Sequence, residues 1–158
     1  MVKDEQIHIL GHVLASSVCE RMRSHRVVPC TVEVSVTYQK DGDLQFASFQ
    51  CPMAIPSNID TEFAQVALSL MERKFNPRYP IRKLTVRGKD LTFNTSVYQT
   101  SLEMNAQSRE DKMKLLACKD ELNERWKHSV RRCVELADPL LTGLGSKPNQ
   151  QFAPAGWY

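Results

Sequence analysis

The feature that most constrains the fold is an alternating run of side chains between Pro80 and Leu91. Because successive side chains of a β-strand point to opposite faces of its sheet, the run predicts a strand with two chemically different faces. One face would carry Arg82, Leu84 and Val86, and the other Ile81, Lys83, Thr85 and Arg87. Lys83 and Arg87 would then lie about 13 Å apart, a spacing that suits the phosphates of a nucleic-acid backbone. An edge strand with solvated charges is an equally good interpretation of this pattern alone.

Length and composition place few other limits on the chain. Its 158 residues are about one domain, and 42% hydrophobic with 25% charged residues is ordinary for a globular protein. The net charge of +3 permits nucleic-acid binding without requiring it. No apolar run approaches the length of a membrane span, and the N-terminus lacks the apolar core of a signal peptide. We therefore expect a cytoplasmic protein.

The cysteines and histidines predict neither a metal site nor a catalytic site. Five cysteines, an odd number without C-x-x-C spacing, favour reduced thiols over disulfides or bound zinc. His8 and His12 are four residues apart on a predicted helix, but no third ligand is evident. No Cys–His or Ser–His–Asp arrangement can be argued. The expectation is that this chain has no catalytic residue, no metal site and no cofactor.

Hydrophobic periodicity predicts five elements before residue 92. Residues 7–23 and 63–75 repeat apolar side chains at helical spacing, whereas residues 31–38 and 44–53 alternate as strands do. Between these strands, Lys40-Asp41-Gly42-Asp43 predicts a hairpin turn. The order helix, strand, strand, helix, strand predicts an α+β fold with two helices on one face of a small, mainly antiparallel sheet. Side chains that could cap the second helix are Ser57, Asn58 and Asp60.

The sheet face without helices would be open to solvent and polar to basic. It would carry Thr31, Ser35, Thr37, Ser48, Gln50, Lys83, Thr85 and Arg87. Hydroxyls, amides and cations, rather than paired carboxylates, make up this set. Such a composition suits contacts with phosphates.

The chain changes character after the last predicted strand. Residues 5–92 would form the main domain, followed by a polar linker over 93–107, a helical extension over 108–141 and a flexible tail over 142–158. In the extension, Leu115, Leu122 and Trp126 lie near one stripe, which we expect to pack against the domain or a partner helix. Arg131 and Arg132 would form a solvated pair or add phosphate contacts.

Several local strings, taken in order, resemble the little-finger domain of Y-family translesion DNA polymerases. They are Val18-Cys19-Glu20-Arg21-Met22-Arg23, Pro56-Ser57-Asn58-Ile59-Asp60-Thr61-Glu62, Ala67-Leu68-Ser69-Leu70-Met71-Glu72-Arg73 and Pro80-Ile81-Arg82-Lys83-Leu84-Thr85-Val86-Arg87. The bacterial UmuC-like branch is the most similar, over roughly residues 5–104. The resemblance implies a little-finger sheet whose open face grips template–primer duplex DNA during damage bypass and repair.

The resemblance also implies which residues touch DNA. Lys83, Thr85 and Arg87 match the last strand, where basic side chains and a small residue meet template-side phosphates. Ser48 and Gln50 match the preceding DNA-facing strand, where family members often have Arg or Lys. The neutral side chains at these two positions imply a weaker grip.

A second implied partner is the sliding clamp. Polymerases of this branch often carry a clamp-docking peptide just after the last strand, and Gln99-Thr100-Ser101-Leu102-Glu103-Met104 stands in that place. Gln99 would bond at the pocket rim, Leu102 would fill the apolar pocket and Met104 would replace an aromatic anchor. Glu103 departs from the pattern, because an unpaired charge enters an apolar pocket only at high cost. An ordinary polar linker is the equally good alternative.

The family pattern predicts a chain that binds but does not catalyse. The metal-binding carboxylates of two-metal nucleotide transfer, and the Mg²⁺ they hold, belong to a palm domain for which we find no counterpart. The family's first little-finger strand also lacks a counterpart, which would leave a sheet edge open to homodimerisation. We expect a non-catalytic, DNA-binding fragment of a translesion polymerase, or a product that has lost its catalytic half. The alternative is a protein-interaction module that binds the clamp or a polymerase partner.

Overall fold

A computed structural model describes residues 4–94, 106–126 and 129–137. The elements are α1 (Asp4–Ser24), β1 (Val27–Lys40), β2 (Asp43–Pro52), α2 (Asp60–Lys74), β3 (Ile81–Phe93), α3 (Ala106–Arg125) and the short α4 (Cys133–Leu136). The predicted order of helices and strands is confirmed. The α+β class is confirmed as well, with helices packed on an antiparallel sheet.

The sheet has the strand order β2-β1-β3, and both pairings are antiparallel. The predicted hairpin joins β1 to β2 through Asp41 and Gly42, whose φ angles are 52° and 93°. Positive φ at both central residues is what a type I′ turn requires, and glycine reaches it without strain. This tight turn fixes the β1–β2 register at the pair Lys40–Asp43.

One face of the sheet is covered and the other is open. Val32, Val34 and Val36 of β1 are fully buried, and Val86 and Leu84 of β3 lie opposite the last two of them. The inner sides of α1 and α2 complete this core with Ala15, Cys19, Met22, Phe63, Ala64, Ala67, Leu70 and Met71. Since strand side chains alternate, the intervening residues of β1 and β3 lie on the open face.

Two irregularities modify the alternation in β3. The register shifts between Thr37 and Tyr38, so that Tyr38 pairs with Ile81. Ile81 therefore packs against the core, and its predicted position on the same face as Lys83 is wrong. Further along, Asp90 has a φ of 52° between the pairs Thr31–Lys89 and Pro29–Leu91, and Leu91 packs against the core.

The start of α2 differs from the expected side-chain cap. The N-cap residue is Ile59, with no side-chain cap bond. The Ser57 hydroxyl instead accepts the backbone N–H of Ile59 (3.1 Å), and the Asn58 amide donates to the Val27 carbonyl (3.1 Å). Asp60 is the first helical residue, and its carboxylate pairs with cations of the helical layer.

The extension helix α3 faces the domain with different residues from those predicted. Leu115 and Trp126 are 70% and 59% exposed, so the expectation that they pack against the domain is wrong. Packing against a partner helix, the alternative expectation, stays a prediction. Leu116 and Asn123 are buried instead. The Asn123 side chain bonds both the N–H (2.8 Å) and the carbonyl (3.0 Å) of Val130, and so holds the chain that follows α3. The surface that α3 meets is charged, so the side of α3 that faces the domain is not its apolar stripe.

Candidate nucleic-acid interface

The register of the three strands aligns the predicted site residues in rows across the open face. Antiparallel partners place Ser48, Ser35 and Thr85 in one row and Gln50, Glu33 and Arg87 in the next. The flanking rows are Phe46–Thr37–Lys83 on the hairpin side and Pro52–Thr31–Lys89 on the other. All five predicted DNA-contacting residues, Ser48, Gln50, Lys83, Thr85 and Arg87, therefore share one face. Their role in binding DNA stays a prediction.

The serine row forms the middle of this face. The Ser35 and Ser48 hydroxyls are 3.1 Å apart and hydrogen-bonded. Ser35 is buried on the central strand, whereas Ser48 is exposed on the edge strand. The third member of the row, Thr85, also has a small side chain with a hydroxyl. Small side chains in this row leave room for a large polyanion close to the strand backbone.

The next row contains a carboxylate that the expected face lacked. Glu33 Oε1 lies 3.2 Å from Arg87 Nη1, and Glu33 Oε2 lies 3.0 Å from Lys89 Nζ. Burial acts to raise the pKa of Glu33, but the bond and charge of Lys89, followed by those of Arg87, hold this pKa below its usual value. Glu33 is a single carboxylate that pairs with cations, and the residues predicted for this face did not include it. Strand alternation placed Glu33 here, but its cationic partners are more than fifty residues away in sequence and become apparent only from the register.

Cations still outnumber anions in these rows. Lys83, Arg87 and Lys89 face one carboxylate, Glu33, which gives these four side chains a net charge of +2. The side chain of Lys83 is exposed and has no ion-pair partner among the described residues. Lys89, which the sequence interpretation omitted, also donates to the Gln50 side chain (3.4 Å). The arrangement can offer one free ammonium and two partly neutralised cations to phosphates.

The hairpin end of the same face is apolar. Phe46 and Leu44 are 69% and 67% exposed and lie two residues apart on β2, so both project from the open face. Neither side chain was among the residues that the sequence predicted to contact DNA. Together, the rows and the apolar end make up the surface that we call the open face.

A second set of charges lies in the helical layer around Asp60. Asp60 is 2% exposed, and its carboxylate meets Arg23 Nη1 at 2.6 Å, Lys119 Nζ at 3.2 Å and Arg132 Nη2 at 3.5 Å. The Ser16 hydroxyl also donates to it (3.2 Å). Arg132 is therefore committed to a buried carboxylate, and the expectation that it is a solvated charge is wrong.

Arg23 connects this carboxylate to α3. Its Nε and Nη2 donate to the two Asp120 oxygens at 2.5 and 3.0 Å, while Nη1 also donates to the Asn58 carbonyl at 2.7 Å. Burial acts to lower the pKa of Arg23, but the bond with Asp120 and the charge of Asp60 raise it above its usual value. These charged side chains thus join α1, α2, α3 and the segment after α3. We call them the Asp60 cluster, which consists of Arg23, Asp60, Lys119, Asp120 and Arg132.

No two of the cysteines are joined in a disulfide. All five are free, and Cys19 is fully buried in the core. Burial raises the pKa of the Cys19 thiol, and the negative charge of Asp60 adds to this shift. Within the described ranges, no group of three His, Cys, Asp or Glu side chains could hold a metal ion. No helix in the same ranges is long and apolar enough to cross a membrane.

Some predicted features lie outside the described residues. Gln99, Leu102 and Met104 of the clamp-like peptide fall between residues 94 and 106, and most of the predicted tail lies beyond residue 137. Clamp binding therefore stays a prediction from sequence alone.

Comparison with known proteins identifies the family. Residues 2–102 match the C-terminal domain of the impB/mucB/samB family, which covers α1 to β3 and the whole sheet. The chain therefore belongs to this family, and the expected kinship with Y-family polymerases is confirmed. A curated relative, the DNA polymerase IV of Acetivibrio thermocellus, is 34% identical over 139 residues.

The extent of that second match is informative. It covers 87% of this chain but 34% of the relative, so the chain spans about a third of the length of the polymerase it matches. The match is longer than the first 125 residues of the chain, so it must extend past Arg125, where α3 ends. The family match, in contrast, ends at residue 102, before α3 begins. The helix that carries Lys119 and Asp120 is thus part of what this chain shares with the polymerase.

Proposed function

We propose that this chain is the DNA-binding little-finger part of a translesion polymerase, gripping template–primer duplex through backbone phosphates. The observation that supports this proposal most is the composition of the open face. There Lys83, Arg87 and Lys89 project from one strand, beside serine and threonine hydroxyls of the same face. Cations and hydroxyls of this kind contact phosphate oxygens and carry little sequence information. Family membership supports the same assignment.

In this proposal the chain holds DNA and does not react with it. Nucleotide transfer, with the Mg²⁺ that it uses, would belong to the catalytic part of such a polymerase. The open face would keep the duplex in register during bypass of a damaged base. Without another domain, binding should be weak, largely independent of sequence and sensitive to salt.

The test is a set of charge-neutral substitutions on the open face. In the triple variant Lys83→Gln, Arg87→Gln, Lys89→Gln, we expect affinity for random duplexes to fall strongly on every sequence. The slope of log affinity against log salt should shrink by roughly 0.9 for each phosphate that the variant no longer neutralises. Glutamine avoids placing a second carboxylate beside Glu33. Fluorescence anisotropy at several salt concentrations measures both quantities.

A charge-matched control exists in the helical layer. Arg73, Lys74 and Arg125 are exposed on α2 and α3, away from the open face. The variant Arg73→Gln, Lys74→Gln, Arg125→Gln has the same net charge as the open-face variant and should bind almost as the unmodified protein does. Equal losses in the two variants would show that only net charge matters, and the assignment of the open face would fail.

Homodimerisation is a further possibility that the sheet edges support. In the described part of the chain, β2 and β3 are the outer strands, and neither pairs on its outer side. Unpaired strand edges are templates for another chain. We propose that two copies associate through such an edge when no other segment covers it. Sedimentation over a wide concentration range would detect the dimer, and a monomer at the highest concentration would refute it.

A further inference from the structure

The open face has an apolar end that phosphate binding does not explain. Leu44 and Phe46 begin β2 and leave two thirds or more of their surface to solvent. Further along β2, the same face carries polar Ser48 and Gln50, while Ala47, Phe49 and Cys51 turn inward. Neither Leu44 nor Phe46 belongs to the core or to the side chains packed against it.

Exposure alone would not single out Phe46, because scattered apolar side chains are common on protein surfaces. Its position does. Phe46, Thr37 and Lys83 form one cross-strand row, so Phe46 and Lys83 are two strand spacings, or about 10 Å, apart. A DNA strand whose phosphate meets Lys83 would bring its sugars and base edges toward the phenyl ring.

We propose that Phe46, with Leu44 beside it, contacts the apolar surface of a nucleotide next to the phosphate held by Lys83. This inference rests on the proposed DNA-binding function and adds a contact of a different chemical kind. The apolar surface comes from a deoxyribose ring or from a thymine methyl group, which phenylalanine can contact directly. Phe46 is then a positioning and affinity residue at the end of the interface.

The two kinds of contact differ in how they respond to salt. Neutralising a phosphate releases condensed counterions, so a lysine contact steepens the dependence of affinity on salt. Burial of an apolar side chain releases no ions, and its contribution to affinity is the same at each salt concentration. A salt series can therefore separate Phe46 from Lys83.

The experiment compares Phe46→Ala with Lys83→Gln in the full chain. Phe46→Ala should weaken duplex binding about fivefold at every salt concentration, as expected for partial burial of one phenyl ring, and leave the slope unchanged. Lys83→Gln should instead reduce the slope by roughly 0.9. Leu44→Ala should behave as Phe46→Ala does, with a smaller loss. Because both side chains are exposed, the thermal unfolding of the variants should stay close to that of the unmodified protein.

Replacing thymine by deoxyuridine in the duplex identifies the source of the apolar surface. If the thymine methyl is the contact, the unmodified protein should prefer the thymine duplex and Phe46→Ala should lose that preference. If deoxyribose is the contact, the unmodified protein should bind the two duplexes equally and Phe46→Ala should weaken both. Either result supports the proposal.

The matched control is Phe93→Ala. Phe93 is 75% exposed, against 69% for Phe46, and it lies at the end of β3 far from Lys83, where it pairs with Val27. Its substitution should leave affinity unchanged. The inference fails if Phe46→Ala binds as tightly as the unmodified protein, if it changes the salt slope, or if Phe93→Ala causes the same loss. In the first case, a normal effect of Lys83→Gln would leave the proposed function standing.

Discussion

The open face and the Asp60 cluster contain the same kinds of charged side chains but use them differently. Around Asp60, three cations contact one carboxylate that is almost completely buried, and the cluster joins several segments of the chain. On the open face, Glu33 meets Arg87 and Lys89, whose side chains are about half exposed, and Lys83 stands apart from this pairing.

The two sets of charges differ in the free energy that is needed to replace an ion-pair partner. Removing one member of a buried pair leaves an uncompensated charge in a medium of low dielectric, and no ligand can reach it. An exposed pair contributes little to stability, and its cations can turn to a phosphate instead. The Asp60 cluster therefore stabilises the packing of α3 on the domain, while the open face remains available to a partner.

The largest effect that would test this comparison is the loss of the Asp60 carboxylate. Asp60→Ala removes the carboxylate that pairs with Lys119, whose side chain is 10% exposed, and one of the two carboxylates that bind Arg23. We expect the free energy of unfolding to fall by about 3–5 kcal/mol. Chemical denaturation followed by circular dichroism measures the change.

The control for Asp60 is an exposed ion pair on α3. Glu121 and Arg125 are four residues apart, and both are exposed. Glu121→Ala should cost no more than about 0.5 kcal/mol. Similar losses for Asp60→Ala and Glu121→Ala would show that the cluster does not differ in strength from a surface pair.

A smaller effect is expected on the open face, and in affinity rather than stability. Glu33→Gln removes the carboxylate that competes with phosphates for Arg87 and Lys89. Duplex affinity should rise roughly threefold to tenfold, which is at most about 1.4 kcal/mol. The salt slope should become steeper, because more cations are then free to meet phosphates.

Glu72→Gln provides the comparison for this gain. Glu72 is exposed on α2, where it pairs with His8, so its substitution makes the same change in net charge away from the open face. It should raise affinity much less than Glu33→Gln does. If the two gains are equal, Glu33 does not compete with phosphates locally.

The parts that sequence predicted well are those governed by local periodicity. Alternation of side chains was enough to place Ser48 and Gln50 on the same face as Lys83 and Arg87, because each strand is regular across those positions. The hairpin followed from Asp41 and Gly42, whose types suit positive φ. Each of these inferences needs only neighbours in the sequence.

The parts that sequence missed depend on distant segments. Glu33 meets Arg87 because β1 and β3 pair in one register out of several, and the irregularity beside Tyr38 moves Ile81 to the core. The side of α3 that meets the domain carries Lys119, Asp120 and Asn123, so apolar periodicity selected Leu115 instead. A polar side facing buried charges has no distinct pattern in a single sequence.

The smallest expected effect concerns the pH dependence that Glu33 confers on stability. The pKa of Glu33 is lowered in the folded protein, below its usual value of 4.5, so its ion pairs stabilise the fold above about pH 4.5. That contribution is lost as the pH falls through the folded-state pKa, because the unfolded chain then binds the proton more readily than the folded one. Since Arg87 and Lys89 are about half exposed, the contribution should be below about 1 kcal/mol.

The free energy of unfolding should be measured between pH 6 and pH 3, about the range over which an acid of this kind titrates. As the pH falls, it should decrease more steeply for the unmodified protein than for Glu33→Gln. Parallel curves would mean that the two cations do not stabilise the carboxylate, and that Glu33 does not hold them away from a phosphate.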